Sequence, residues 1–158
     1  MGFFLEQCKN FFSNYLLMSA ICAWLIAQLA KVARALWHRE SCNYFALLFS
    51  SGGMPSSHSA CVMSLCTACG IQYGVNSALF AICGILAAVV MIDASGVRYE
   101  TGKQSKLLNR IAREFFDGDD PELLNTSLKE LVGHTPFQVF VGAMLGIAIG
   151  IVMYFVMK

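Results

Sequence analysis

The run Gly52-Gly53-Met54-Pro55-Ser56-Ser57-His58-Ser59-Ala60 sets a flexible polar turn directly ahead of an apolar segment that continues to Gly70. The first amides of a helix lack intrahelical acceptors, and the positive end of the helix dipole faces outward there. Backbone N–H groups, two hydroxyls and an imidazole at such a start can therefore hold an anion, and phosphate suits that donor set. Pro55 fits a first helical turn, where its missing N–H is no loss and its φ is already helical. Ser56 and Ser57 add donors. The plainer reading is a loop, an N-cap and a helix-end histidine satisfied by its neighbours.

The elements that must position these residues are hydrophobic. Of 158 residues, 57% are hydrophobic and only 13% charged, against about 25% charged in ordinary soluble domains, so the chain is expected to be a single membrane domain over 1–158. The net charge of +1 argues against nucleic acid as a partner. Seven cysteines, an odd number lying mostly in apolar runs, suggest packing residues rather than a disulfide framework. Cys66 and Cys69 form a C-x-x-C pair, but no second pair or nearby histidine completes a metal or redox site. No charged start or cleavage pattern at Met1-Gly2-Phe3-Phe4 suggests a signal peptide.

Phe3, Phe4, Phe11 and Phe12 recur near helical spacing, as in a short entry helix on the membrane surface. Four spans are expected at about 15–36, 55–73, 77–95 and 136–157. In the first, Gln28 reads as an ordinary interhelical hydrogen bond. The run from Tyr44 to Phe49 is too short to span and reads as re-entrant or interfacial. The second span is rich in Ser, Cys and Thr, which suits a helix inside a bundle, and Asn76 or Ser77 caps the third. Asp93 and Arg98 close the third span, either as functional charges or as a simple ion pair. Residues 103–116 put Leu107, Leu108 and Ile111 on one face and Lys103, Lys106, Arg110 and Arg113 largely on another, the pattern of an interfacial helix. A second short helix is expected from Glu122 to Val132. The last span carries Gly142, Gly146 and Gly150, four apart, a flat face for close helix contact and a surface through which copies of the chain could form a homo-oligomer.

Four spans bring Lys31, Arg34, His38, Arg39, His58, Asp93, Arg98 and His134 to one membrane face, here side B. All three histidines of the chain lie there. An imidazole nucleophile, a second imidazole as general acid, and cations neutralising the equatorial oxygens are the parts a phosphoryl transfer needs. Nine of the eleven Lys and Arg residues also fall on side B, leaving Lys9 and Lys158 opposite. By the positive-inside rule side B is then cytoplasmic.

Pro55-Ser56-Ser57-His58 resembles the Pro-Ser-Gly-His element of the type 2 phosphatidic acid phosphatase and vanadium haloperoxidase superfamily. His134-Thr135-Pro136-Phe137-Gln138-Val139, with Gly142 following, resembles its later His-x-x-x-Asp-Val-x-x-Gly element, and Lys31 followed by Arg39 its opening Lys-x6-Arg-Pro. Gly-Gly-Met-Pro-Ser-Ser-His-Ser-Ala, Asp-Ala-Ser-Gly-Val-Arg, Gly-Lys-Gln and Gly-His-Thr-Pro, in that order, are closer to the divergent bacterial and plastid branch, over roughly residues 20 to 155.

The resemblance implies an all-α integral membrane bundle of about four spans with interfacial pieces on one side, set in the bacterial cytoplasmic membrane. It implies a phosphomonoester hydrolase or phosphotransferase that needs no metal or other cofactor and acts on a lipid-linked or small phosphate. His134 would be the nucleophile and His58 the acid, with Lys31, Arg39, Arg98, Gly53, Ser56 and Ser57 holding phosphate. The chain departs from the wider pattern between Lys31 and Arg39, where seven residues stand in place of six and no Pro follows, at Gln138, where an Asp is expected, and at Leu128, where an Arg is expected beside Lys129. Asp93 or Gln138 would then orient His134. An amide fixes a tautomer but cannot stabilise an imidazolium by charge. A non-catalytic membrane module that binds anionic lipid phosphate or a membrane partner is the rival reading. A channel is disfavoured, since no second half repeats the first in inverted order.

Overall fold

The computed structural model describes residues 1–38, 53–115 and 133–158. Arg39, the 44–49 run, the 122–132 helix, Leu128 and Lys129 lie outside the described residues. The described part is helical: α1 (Gly2–Phe12), α2 (Tyr15–Trp37), α3 (Ser57–Tyr73), α4 (Ala78–Ser95), α5 (Val97–Phe115) and α6 (Pro136–Met157).

Polar residues at the helix starts fix where these segments begin. Asn14 accepts from the Leu17 N–H to cap α2, and Ser77 accepts from the Phe80 N–H to cap α4. Thr135 and Gln138 form a reciprocal capping box on α6, with Pro136 at its first position. Ser56, in extended conformation, caps α3 through its side chain, so α3 begins at Ser57. Pro55 therefore precedes the cap and does not stand in the first turn as its type suggested. α5 starts at Val97, earlier than the charge pattern indicated. A bend at Gly96 alone separates it from α4, and Lys103 supports the early turns by pairing with Glu100 and lying over the Tyr99 ring.

The protein is an all-α membrane protein. Three of the described helical stretches, Tyr15–Trp37, Ala78–Ala112 and Pro136–Met157, contain segments long and apolar enough to cross a bilayer. α3, at 17 residues, is shorter and lies at the centre, where Ser57, Ser59, Ala60, Ser64, Ala68 and Cys69 are all buried. Its small side chains admit α6 at very short range. A Cβ at Gly142 would collide with the Ser56 carbonyl, one at Gly146 with the Ala60 carbonyl, and one at Gly150 would press on Thr67 and the Ser64 carbonyl. The two helices thus run parallel in steps of four residues. The glycine face that offered itself for association between copies is occupied within the chain. α2 closes the other side of α3 antiparallel to it, through Ala23, Ala27 and Ala60 and a hydrogen bond from Ser64 Oγ to the Ser19 carbonyl. Tyr15 ties α2 to α6 through its hydroxyl and the Gly150 carbonyl. Gln28, expected to bond across helices, is instead buried with its side-chain oxygen unpartnered. α4 turns Ile82, Ile85, Val89 and Ile92 outward, as a lipid-facing helix must.

Candidate functional site

The starts of α3 and α6 lie side by side at side B, and each carries one histidine. The His58 and His134 ring centroids are 6.1 Å apart with the planes inclined by 61°. His58, in the first turn of α3, is exposed, whereas His134, just ahead of the α6 cap, is 1% exposed. Residue type and spacing alone do not distinguish the two rings.

The burial of His134 has a backbone cause. Its N–H donates to the Ala94 carbonyl at 2.9 Å, drawing the segment onto the bend between α4 and α5. Gly133 makes this possible. Its φ of 88° is a left-handed conformation, and a Cβ there would collide with the Arg98 and Tyr99 backbone. Gly133 is thus a positioning residue that sequence reasoning missed, although a glycine directly before a candidate nucleophile was a usable signal.

Neither ring nitrogen of His134 has a hydrogen-bond partner. Buried polar groups are nearly always paired, and leaving one unpaired costs about 1–3 kcal/mol. The Gln138 side-chain oxygen accepts from the Thr135 N–H at 3.0 Å in the capping box, and the Gln138 side chain and the Gly53 backbone act on the ring from close by without a well-formed bond to either nitrogen. Asp93 supplies no such bond, being paired with Arg98. The unpaired imidazole therefore faces the groups gathered around it.

Lys31, buried in α2, donates from Nζ to Ser57 Oγ at 3.3 Å, and its stem passes beside Gly53. Its charge acts on both histidines. Arg98 and Asp93, half exposed, also lie within electrostatic range of His58. Ser56 Oγ accepts from the Ser59 N–H and hydroxyl, and its own N–H donates to the Gln138 carbonyl at 3.2 Å. Ser56 is thus committed to the cap and to α6, while none of the described hydrogen bonds uses the Ser57 or His58 amides. Every described residue assigned to the site by sequence converges on this one corner. Arg39 lies outside the described residues. Among the described residues no group of three His, Cys, Asp or Glu is placed to hold a metal.

Burial, with the Lys31 charge behind it, pushes the His134 pKa from the ordinary 6.5 down to about 4; Gln138 and the Gly53 backbone oppose the shift and His58 adds to it. The ring is therefore neutral at pH 7, with a lone pair free. The folded state binds the proton only near pH 4 while the unfolded chain binds it from about 6.5, so the stability present above 6.5 is progressively lost as pH falls through that window. Ring-labelled histidine NMR should find His134 titrating near 4 and still neutral at 6.5. A midpoint at the ordinary value would mean that the ring is solvated.

Four packed helices bring a histidine pair, a buried lysine and the Ser57 and His58 amides together at one end of a membrane protein. The model of the Divergent PAP2 family matches residues 12–149, and the chain belongs to that family. It is 36% identical over 155 residues to the uncharacterized membrane protein YuiD of Bacillus subtilis (strain 168), covering 92% of this chain and 98% of the relative. No solved structure matches the chain.

Proposed function

We propose that the corner is the active site of a phosphomonoester hydrolase that acts on a lipid-linked or small phosphate. The observation that carries this reading is the buried His134 ring with both nitrogens unpartnered, 6.1 Å from His58 and under the charge of Lys31. One His134 nitrogen attacks phosphorus, the bond from phosphorus to the ester oxygen breaks, and His58 gives that oxygen a proton. His58 then takes a proton from water, which attacks phosphorus, and cleavage of the phosphorus–nitrogen bond frees phosphate and His134. Lys31, Arg98 and the Ser57 and His58 amides balance the phosphoryl charge. Turnover of a phosphomonoester lipid by the purified protein is the test.

One observation favours the second reading, a binding module without turnover: among the described residues no carboxylate is bonded to the His134 ring to stabilise a charged intermediate. Binding of phosphate lipids by wild-type protein without hydrolysis would decide for it.

The excess of Lys and Arg on side B supports a site facing the cytoplasm from the cytoplasmic membrane. A cysteine introduced at Gly118 should resist a membrane-impermeant thiol reagent applied to intact cells, and labelling from outside would overturn the placement.

A further inference from the structure

At the opposite end of the bundle, α1, the start of α2 and the ends of α3 and α6 surround an open recess of about 570 Å³. That volume lies within the roughly 300–1,000 Å³ usual for small-molecule sites. Its lining divides by chemistry. Asn10, Asn14, Gln72 and Lys158 contribute polar groups, and Leu16 and Leu65 contribute apolar wall. Among the described residues Lys158 is the one charged side chain in the lining. The Asn14 oxygen is already engaged by the Leu17 N–H, so Asn14 offers its amide hydrogens to an occupant. The Asn14 amide hydrogens and the Lys158 ammonium, joined by the Asn10 and Gln72 amides, which can each turn their hydrogens inward, can receive an anion.

The level of the recess in the membrane follows from its neighbours. α1 buries no residue and leaves Phe3, Phe4, Phe11 and Phe12 exposed, as a helix seated in the interface does. Tyr73, half exposed, lies at the rim, where tyrosines gather at the headgroup level. A free phosphate would use the donors and leave the leucine wall unmatched, whereas an amphiphile uses both.

We infer that this recess holds an anionic phospholipid of the leaflet opposite the histidines, its phosphate on Lys158 and the side-chain amides and its glycerol and first methylenes against Leu16 and Leu65. The site is separate from the histidine corner and does not depend on turnover there.

The test uses the full chain in vesicles of equal phosphatidylglycerol and phosphatidylcholine, with photoreactive benzoylphenylalanine replacing Tyr73 or, as a reference, the lipid-facing Ile85. Lipid captured at position 73 should be enriched about fivefold in phosphatidylglycerol, the factor expected from one lysine worth roughly 1 kcal/mol at a membrane surface. Capture at position 85 should follow vesicle composition. Lys158→Gln should abolish the enrichment at 73 and leave 85 unchanged. Absence of lipid capture at 73, capture there in vesicle proportion, or enrichment that survives Lys158→Gln would each overturn the proposal. So would loss of enrichment on adding soluble glycerol phosphate, which would make the occupant a free phosphate.

Discussion

Replacing His134 with alanine is expected to reduce hydrolysis of a phosphomonoester lipid to the buffer rate, because no other described imidazole reaches the enclosed end of the corner. His58→Ala should lower the rate by about 10²–10⁴-fold, the usual contribution of a general acid. The two losses should separate with leaving group. An aryl phosphate departs without protonation, so His58→Ala should cost far less with that substrate, while His134→Ala remains without activity. Equal losses with both substrates would place His58 in phosphate binding rather than proton transfer. Hydrolysis that persists in His134→Ala would remove the nucleophile assignment.

The second large effect is expected at Gly142. Its missing Cβ leaves room for the Ser56 carbonyl, which also accepts from the Ala60 N–H at 3.1 Å. A methyl there meets backbone, which cannot rotate aside, so α3 and α6 must separate. Overpacking of this kind costs about 1–3 kcal/mol. Separation also parts the two histidines, one on each helix start, so Gly142→Ala should lower both the thermal unfolding midpoint and activity. Gly84, on α4 with nothing within 4 Å of its missing Cβ, provides the comparison. Gly84→Ala should unfold at or above the wild-type temperature. An unchanged midpoint in Gly142→Ala would contradict the close contact.

The residue types at Pro55 to His58 and at His134 announced a polar corner at one end of the bundle, and the glycines at 142, 146 and 150 announced a packing face. What could not be read was which helix takes that face, since every apolar span offers the same lipid-like surface to a glycine stripe. The burial of His134 was equally hidden. It depends on a backbone bond to Ala94 and on room at Gly133, which are contacts between segments far apart in sequence. Gln138 was legible as a polar residue one turn into the last span. Its capping role follows from Thr135 three residues earlier, a local pattern that competes with any role in orienting His134.

The stagger between α3 and α6 has a consequence for depth. Ser56, the cap of α3, lies opposite Gly142, whereas α6 begins at Pro136. At 1.5 Å per residue, α3 therefore starts about 9 Å below the top of its parallel neighbour. A span of 17 residues covers only about 25 Å, short of the roughly 30 Å hydrocarbon layer. α3 is enclosed by α2, α4 and α6, so its short length is met by protein rather than by lipid, and the step at its start is flanked by the first turns of α6. Any ligand of the Ser57 and His58 amides therefore has to enter about 9 Å below the start of α6.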